Sequence, residues 1–281
     1  MRASEYVVFA YFAWTSILAL TLAIATPIRV RALLANLLVL LAYLVLLRLR
    51  QAAWVGIARD WIPQGLIVLA YKEMGWFAPA SHTNKLEHSW IVWDRVLLDQ
   101  WHGRACIESL GAVIPFLLEL SYVVVYALPP VTMLIVYRLG MQRRADVVLT
   151  IYLLGMLMSY GQFPFWPSEP PRAVFPGQDM PNVETLVRRF SLWIVGSYGI
   201  HTSVFPSAHV SGATAAALAM AYVFPRRRFL ILSYFTYAAT VAVATVYGRY
   251  HYAADALAGI AVGCLACPLG IWFTSRAEKR E

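Results

Sequence analysis

Of 281 residues, 60% are hydrophobic and 14% are charged, with a mean hydropathy of +0.61 and a formal net charge of +8. A soluble globular domain carries roughly 25% charged residues, so this chain cannot cover its apolar surface in water, and its solvent must be a bilayer. The positive charge sits in short clusters between apolar runs (Arg48 and Arg50, Arg143 and Arg144, 226–228, 276–280) rather than on one polar face, which excludes a nucleic-acid-binding footprint.

Apolar runs long enough to span occur near 6–26, 32–49, 108–137, 146–166, 205–224, 229–247 and 252–274. The first has no small-residue cleavage site behind it and reads as a retained helix. A weaker run at 61–78 is interrupted by Lys72 and Glu73 and reads as an interfacial or tilted segment. The expected fold is an all-α integral membrane protein of about eight helices, with N-terminal transmembrane helices over 1–80 and a catalytic core over 81–281. Three stretches, 79–105, 167–189 and 197–209, are polar enough to lie outside the bilayer core, and the prolines of the second forbid a continuous helix there. Ten Trp and sixteen Tyr suit aromatic belts at the two interfaces. Cys264 and Cys267 form a C-x-x-C inside an apolar helix, where packing is the expected role rather than metal or redox chemistry.

The last helices set a topology. The run 205–224 ends at the 226–228 cluster, the next returns to His251, and the last goes back to the basic tail. The basic clusters therefore share one face and His209 and His251 the other. The positive-inside rule makes the basic face cytoplasmic and the histidine face external, as in a multi-pass plasma-membrane protein with an outward site. Arg29 and Arg31 are the exception, since they fall on the histidine side.

Three segments carry candidate chemistry. In F-P-S-A-H, 205–209, Ser207 is a good N-cap, and the helix behind it offers free N–H groups and a positive dipole end to a phosphate. His209 in that first turn is placed to give a proton to a leaving oxygen. In G-R-Y-H-Y-A-A-D, 248–255, His251 and Asp255 lie four apart on one helical face, so the carboxylate can fix the imidazole tautomer and leave the other nitrogen to attack. In P-P-R, 170–172, Arg172 supplies a planar, permanent charge for phosphate oxygens. The three fall on one face of the membrane and together read as a phosphoryl-transfer site that needs no metal and no cofactor.

These motifs resemble the type 2 phosphatidic acid phosphatase superfamily. P-S-A-H at 206–209 and H-Y-A-A-D at 251–255 are similar to its second and third motifs, P-P-R at 170–172 to a version of its first, and W-D-R-V-L-L-D-Q at 93–100 to an upstream loop of its inositol phosphorylceramide synthase-like branch. The resemblance covers about 90–270. It implies a six-helix phosphatase-like core with extra N-terminal helices, and a lipid phosphatase or phosphotransferase working through a phospho-histidine on His251. Asp255 would orient that histidine, His209 would protonate the departing oxygen, and Arg172 and Ser207 would hold the phosphate. The implied partners are a phosphorylated lipid substrate and the membrane lipids; the oligomeric state is open. The sequence departs from the family pattern in three places. Ala208 stands where Gly is common, Thr245 where an Arg is expected, with Arg249 as a candidate replacement in phosphate binding, and K-x6-R-P is missing. These departures favour the synthase-like branch. His201 is a candidate partner of His209, and Asp94 of an acceptor. His82, His88 and His102 with Asp94 and Asp99 match no metal-ligand spacing. The alternative reading, a proton-coupled transporter using the same His and Asp cluster, predicts ionisable groups spread through the membrane rather than gathered at one face.

Overall fold

The computed structural model describes residues 1–49, 52–78, 82–200, 202 and 204–279. Among them the chain is all-helical, with no strand. Six stretches are long and apolar enough to cross a membrane: α1 (Ala3–Thr21), α2 (Thr26–Arg48), the α6–α7 rod (Val113–Arg138), the rod around α8 (Gln142–Phe165), α12 (Arg228–Tyr247) and α13 (Ala253–Glu278). Helix α11 (Ala208–Val223) is shorter but apolar. The interrupted run at 61–78 is the C-terminal part of one 25-residue helix, α3 (Ala53–Phe77). It tolerates Lys72 because the ammonium reaches the Tyr198 carbonyl at the helix end, and it buries Glu73 completely. The chain is thus an integral membrane protein of all-α class.

Outside these rods lie the polar helices α4 (Lys85–Arg95), which runs on into a π-helical turn at Val96–Gln100, and α5 (Gly103–Glu108), then the single turn α9 (Pro171–Val174) and α10 (Leu186–Tyr198). Within the Val113–Arg138 rod, Pro129 and Pro130 lack the N–H groups that α-helical bonds require, and a 3-10 turn at Val125–Ala127 divides α6 (Val113–Val124) from α7 (Leu128–Arg138).

Helix α8 (Ala145–Tyr160) is buried on nearly all sides and packs against α11 and α13 in the centre, with α1 and α3 on its flank. Small residues permit this closeness. A Cβ on Gly259 would stand 2.6 Å from the Ser207 carbonyl oxygen, and one on Gly263 would stand 2.7 Å from that of Ser211. The G-x-x-x-G of α13 therefore lets its backbone lie directly on α11, as small-residue seams do in membrane bundles.

The two ends of the bundle differ. At one end Asp146 accepts the backbone N–H groups of Ala3 and Ser4 at 3.0 and 3.2 Å, capping α1, and Arg2, Arg143 and Arg144 gather with Glu278 around a shallow cavity. The starts of α11 and α13 lie at the other end. Arg29 also lies there, where its Nε donates to the Ala19 carbonyl at 2.9 Å and caps the last turn of α1; Arg31 stacks 5.8 Å over the Trp76 ring. Both exceptions to the charge rule thus have local partners.

Candidate active site

The site forms where the first turns of α11 and α13 meet. Ser207 caps α11, its Oγ accepting from the Val210 N–H at 3.4 Å, while its own N–H donates to the Asp255 carbonyl at 3.0 Å. The loop between α12 and α13 is folded by the Thr245 carbonyl, which accepts the N–H groups of both Tyr250 and His251 at 2.9 and 3.0 Å. Arg249 takes a left-handed conformation (φ 63°) to allow that turn.

These constraints draw three side chains into a row. Asp255 Oδ2 lies 3.3 Å from His251 Nδ1 and also accepts the Tyr252 N–H at 2.9 Å. His251 Nε2 lies 3.3 Å from His209 Nδ1. An ionised Asp255 only accepts; with it so, Nδ1 of His251 carries the hydrogen and Nε2 keeps its lone pair, turned toward His209. Asp255 is fully buried, His251 nearly so and His209 half-buried.

Arg172 closes the group. Its backbone N–H meets the Arg249 carbonyl at 3.4 Å, and its guanidinium lies 5.4 Å over the Tyr250 ring. No carboxylate among the described residues pairs with it. Burial and the Arg172 charge together push His251 down to about 3, so the imidazole is neutral at neutral pH. Between pH 3 and the ordinary value of 6.5 the unfolded chain binds a proton that the folded chain refuses, so stability is lost as pH falls through that window. The melting temperature in detergent should drop from pH 6.5 to pH 4, and His251→Gln should flatten the drop. Equal slopes for the two proteins would contradict the buried neutral state.

Arg249 and Asp94 form a second buried unit. Arg249 NH1 meets Asp94 Oδ2 at 2.7 Å, and Asp94 Oδ1 accepts the Ala253 N–H at 2.9 Å, so α4 clamps the loop on both sides of His251. Burial pushes the Asp94 carboxyl up to about 6, still below neutrality, and the pair is ionic at pH 7. Each side chain is 1% exposed. His201 lies outside the described residues. The upstream histidines are dispersed. His82 pairs with Glu87 at 2.6 Å, His88 packs on Phe175, and Asp99 pairs with Arg104 at 2.9 Å; no group of metal-ligating side chains assembles among the described residues.

Several contributors escaped the motif reading. Tyr126 Oη lies 3.4 Å from His209 Nε2, and Tyr122 packs on the His209 ring while stacking on Tyr250 with centroids 3.9 Å apart. Glu119 accepts from Tyr250 Oη and from Arg188 NH1, each at 2.7 Å, and Arg188 also reaches the Gly248 carbonyl at 3.3 Å. Arg188 and Ser191 are the buried face of α10, whose opposite face exposes Leu186, Phe190 and Trp193. Glu119, the lone acid of α6, was the available signal, since an acid inside an apolar helix needs a partner.

Residues 91–269 match the PAP2 superfamily. No curated protein and no solved structure matches the chain.

Proposed function

The chain belongs to the PAP2 superfamily of membrane phosphatases, and from that premise we propose that it is a lipid phosphatase or phosphotransferase in which His251 becomes transiently phosphorylated. The observation that carries the reading is the row Asp255–His251–His209 beside a guanidinium with no carboxylate partner among the described residues. His251 Nε2 attacks phosphorus, the bond to the lipid oxygen breaks, and His209 gives that oxygen a proton. Asp255 holds Nδ1–H and balances the positive charge of the phosphorylated ring. Arg172 and the N–H groups behind Ser207 face the equatorial oxygens. An acceptor O–H then attacks phosphorus, its proton passes to His209, and His251 is released.

Water as acceptor makes the protein a phosphatase, and an alcohol such as inositol makes it a phosphotransferase. The H-Y-A-A-D form and the Thr245 departure support the inositol phosphorylceramide synthase-like branch. Arg249 then serves the site by holding the loop rather than the phosphate, because its NH1 is committed to Asp94. The gathering of basic residues at the opposite end supports an outward-facing site in the plasma membrane, reached from the outer leaflet. On this reading 1–80 supplies accessory helices to a catalytic core over 81–281, and no metal or cofactor takes part.

The test is a substrate panel with purified protein in detergent: phosphatidate, a polyprenyl pyrophosphate, and a phospholipid with inositol. Phosphate release without alcohol identifies a phosphatase, and head-group transfer to inositol a phosphotransferase. Turnover of none of them would remove the proposal.

A further inference from the structure

His251 has Asp255 to hold it, and a second histidine that must lose and regain a proton needs a holder of its own. The structure assigns that role to Tyr126: we propose that its phenol positions His209 through Nε2, as Asp255 positions His251 through Nδ1. The inference rests on the proposed role of His209 as proton donor to the leaving oxygen.

His209 Nδ1 is the nitrogen turned to His251 Nε2, 3.3 Å away, and therefore toward the space where phosphorus is attacked. Nε2 is left for a partner, and Tyr126 Oη is 3.4 Å from it. The two rings are perpendicular with centroids 5.5 Å apart, and Tyr122 packs on His209 at 5.1 Å, so the imidazole plane is held between two tyrosines. Tyr126 owes its place to the 3-10 turn that Pro129 and Pro130 impose on the rod. Among the described residues, the groups facing His209 are His251 and Arg172 from the loops and Tyr122 and Tyr126 from the α6 side. None of these is a carboxylate.

That choice of partner fits the chemistry. A carboxylate would stabilise the imidazolium and hold back its proton. A phenol oxygen accepts from Nε2–H while remaining neutral, so it fixes the tautomer without fixing the charge. Burial, His251 and Arg172 push His209 down to about 3, so the ring is neutral before substrate enters. A phosphate monoanion brings both the proton and the counter-charge, and protonated His209 then donates from Nδ1–H to the departing oxygen. Nε2–H stays on Tyr126, and the lone pair left on Nδ1 takes the acceptor proton in the second step. The proton count closes over one cycle.

The test compares Tyr126→Phe with wild type on two substrates, an alkyl phosphate lipid and p-nitrophenyl phosphate. The alkyl oxygen must be protonated as it leaves, whereas p-nitrophenolate needs no acid. Positioned acid catalysis is worth roughly 10²–10⁴-fold, so loss of its holder should lower kcat/KM on the alkyl phosphate by about 10–100-fold and on p-nitrophenyl phosphate by less than about threefold. His209→Ala should show the same selectivity, enlarged. An equal loss on both substrates would mean that Tyr126 merely supports the fold, and no loss on the alkyl phosphate would mean that it holds nothing; either overturns the assignment. Wild-type protein that turns over neither substrate overturns the phosphotransfer reading itself, and this assignment with it.

Discussion

His251→Ala is expected to lower turnover of the preferred phospholipid by about 10⁴–10⁶-fold, the scale seen when a covalent nucleophile is removed. The reason lies in the division of labour around the ring. In the proposed mechanism Asp255 fixes the tautomer, and His209 and Arg172 act on charge that develops only once Nε2 has begun to attack. Without the nitrogen they have nothing to act on. The variant should keep its fold, because the Thr245 carbonyl holds the loop through backbone N–H groups that alanine retains. Rapid acid-free quenching with labelled substrate should trap an acid-labile phospho-protein from wild type and none from the variant. A variant that retained a tenth of wild-type turnover would rule out His251 as the nucleophile.

Asp94→Ala should be the most destabilising single change near the site, at about 3–5 kcal/mol, because it leaves a buried guanidinium without its counter-charge. Arg249 is 1% exposed, and its Nε and NH2 already lack partners among the described residues, so none of these neighbours can take over. The Ala253 N–H at the head of α13 loses its acceptor in the same step. Replacing both members, Asp94→Leu with Arg249→Met, should recover most of the stability, since removing a buried pair costs far less than halving it. Unfolding in detergent as a function of denaturant measures both. A single variant as stable as wild type would show that the pair is solvated rather than buried.

The architecture was legible because it depends on length and polarity. Runs of about twenty apolar residues have few ways to satisfy their backbone in lipid other than as helices. The start of α3 was not legible, because Asp60, Gln64, Lys72 and Glu73 depress a hydropathy window although each finds a place within the bundle. His209 could be found because Ser207 announces a helix, whereas His251 lies in the loop two residues ahead of α13, so it meets Asp255 across the start of that helix rather than along one helical face as the spacing suggests. The Asp94–Arg249 and Tyr126–His209 contacts join positions 155 and 83 residues apart, and no local rule reaches that far. The G-x-x-x-G at 259–263 was visible in the sequence, but its consequence, a backbone pressed against Ser207, required the partner helix to be identified.

Helix α10 joins two environments. Its outer side is a row of exposed Leu, Phe and Trp, while Arg188 on its inner side grips Glu119 and the Gly248 carbonyl, and Glu119 in turn grips Tyr250. Residues 248 and 250 bracket the turn that aims His251. Amphipathic helices of this kind settle at the boundary between head groups and acyl chains, to a depth set by how tightly the lipids are packed. In the proposed mechanism, a change in the lateral pressure of the surrounding lipid should therefore reach the loop that carries His251. Rates taken in a micelle and in a bilayer would report on the same side chains under different mechanical loads.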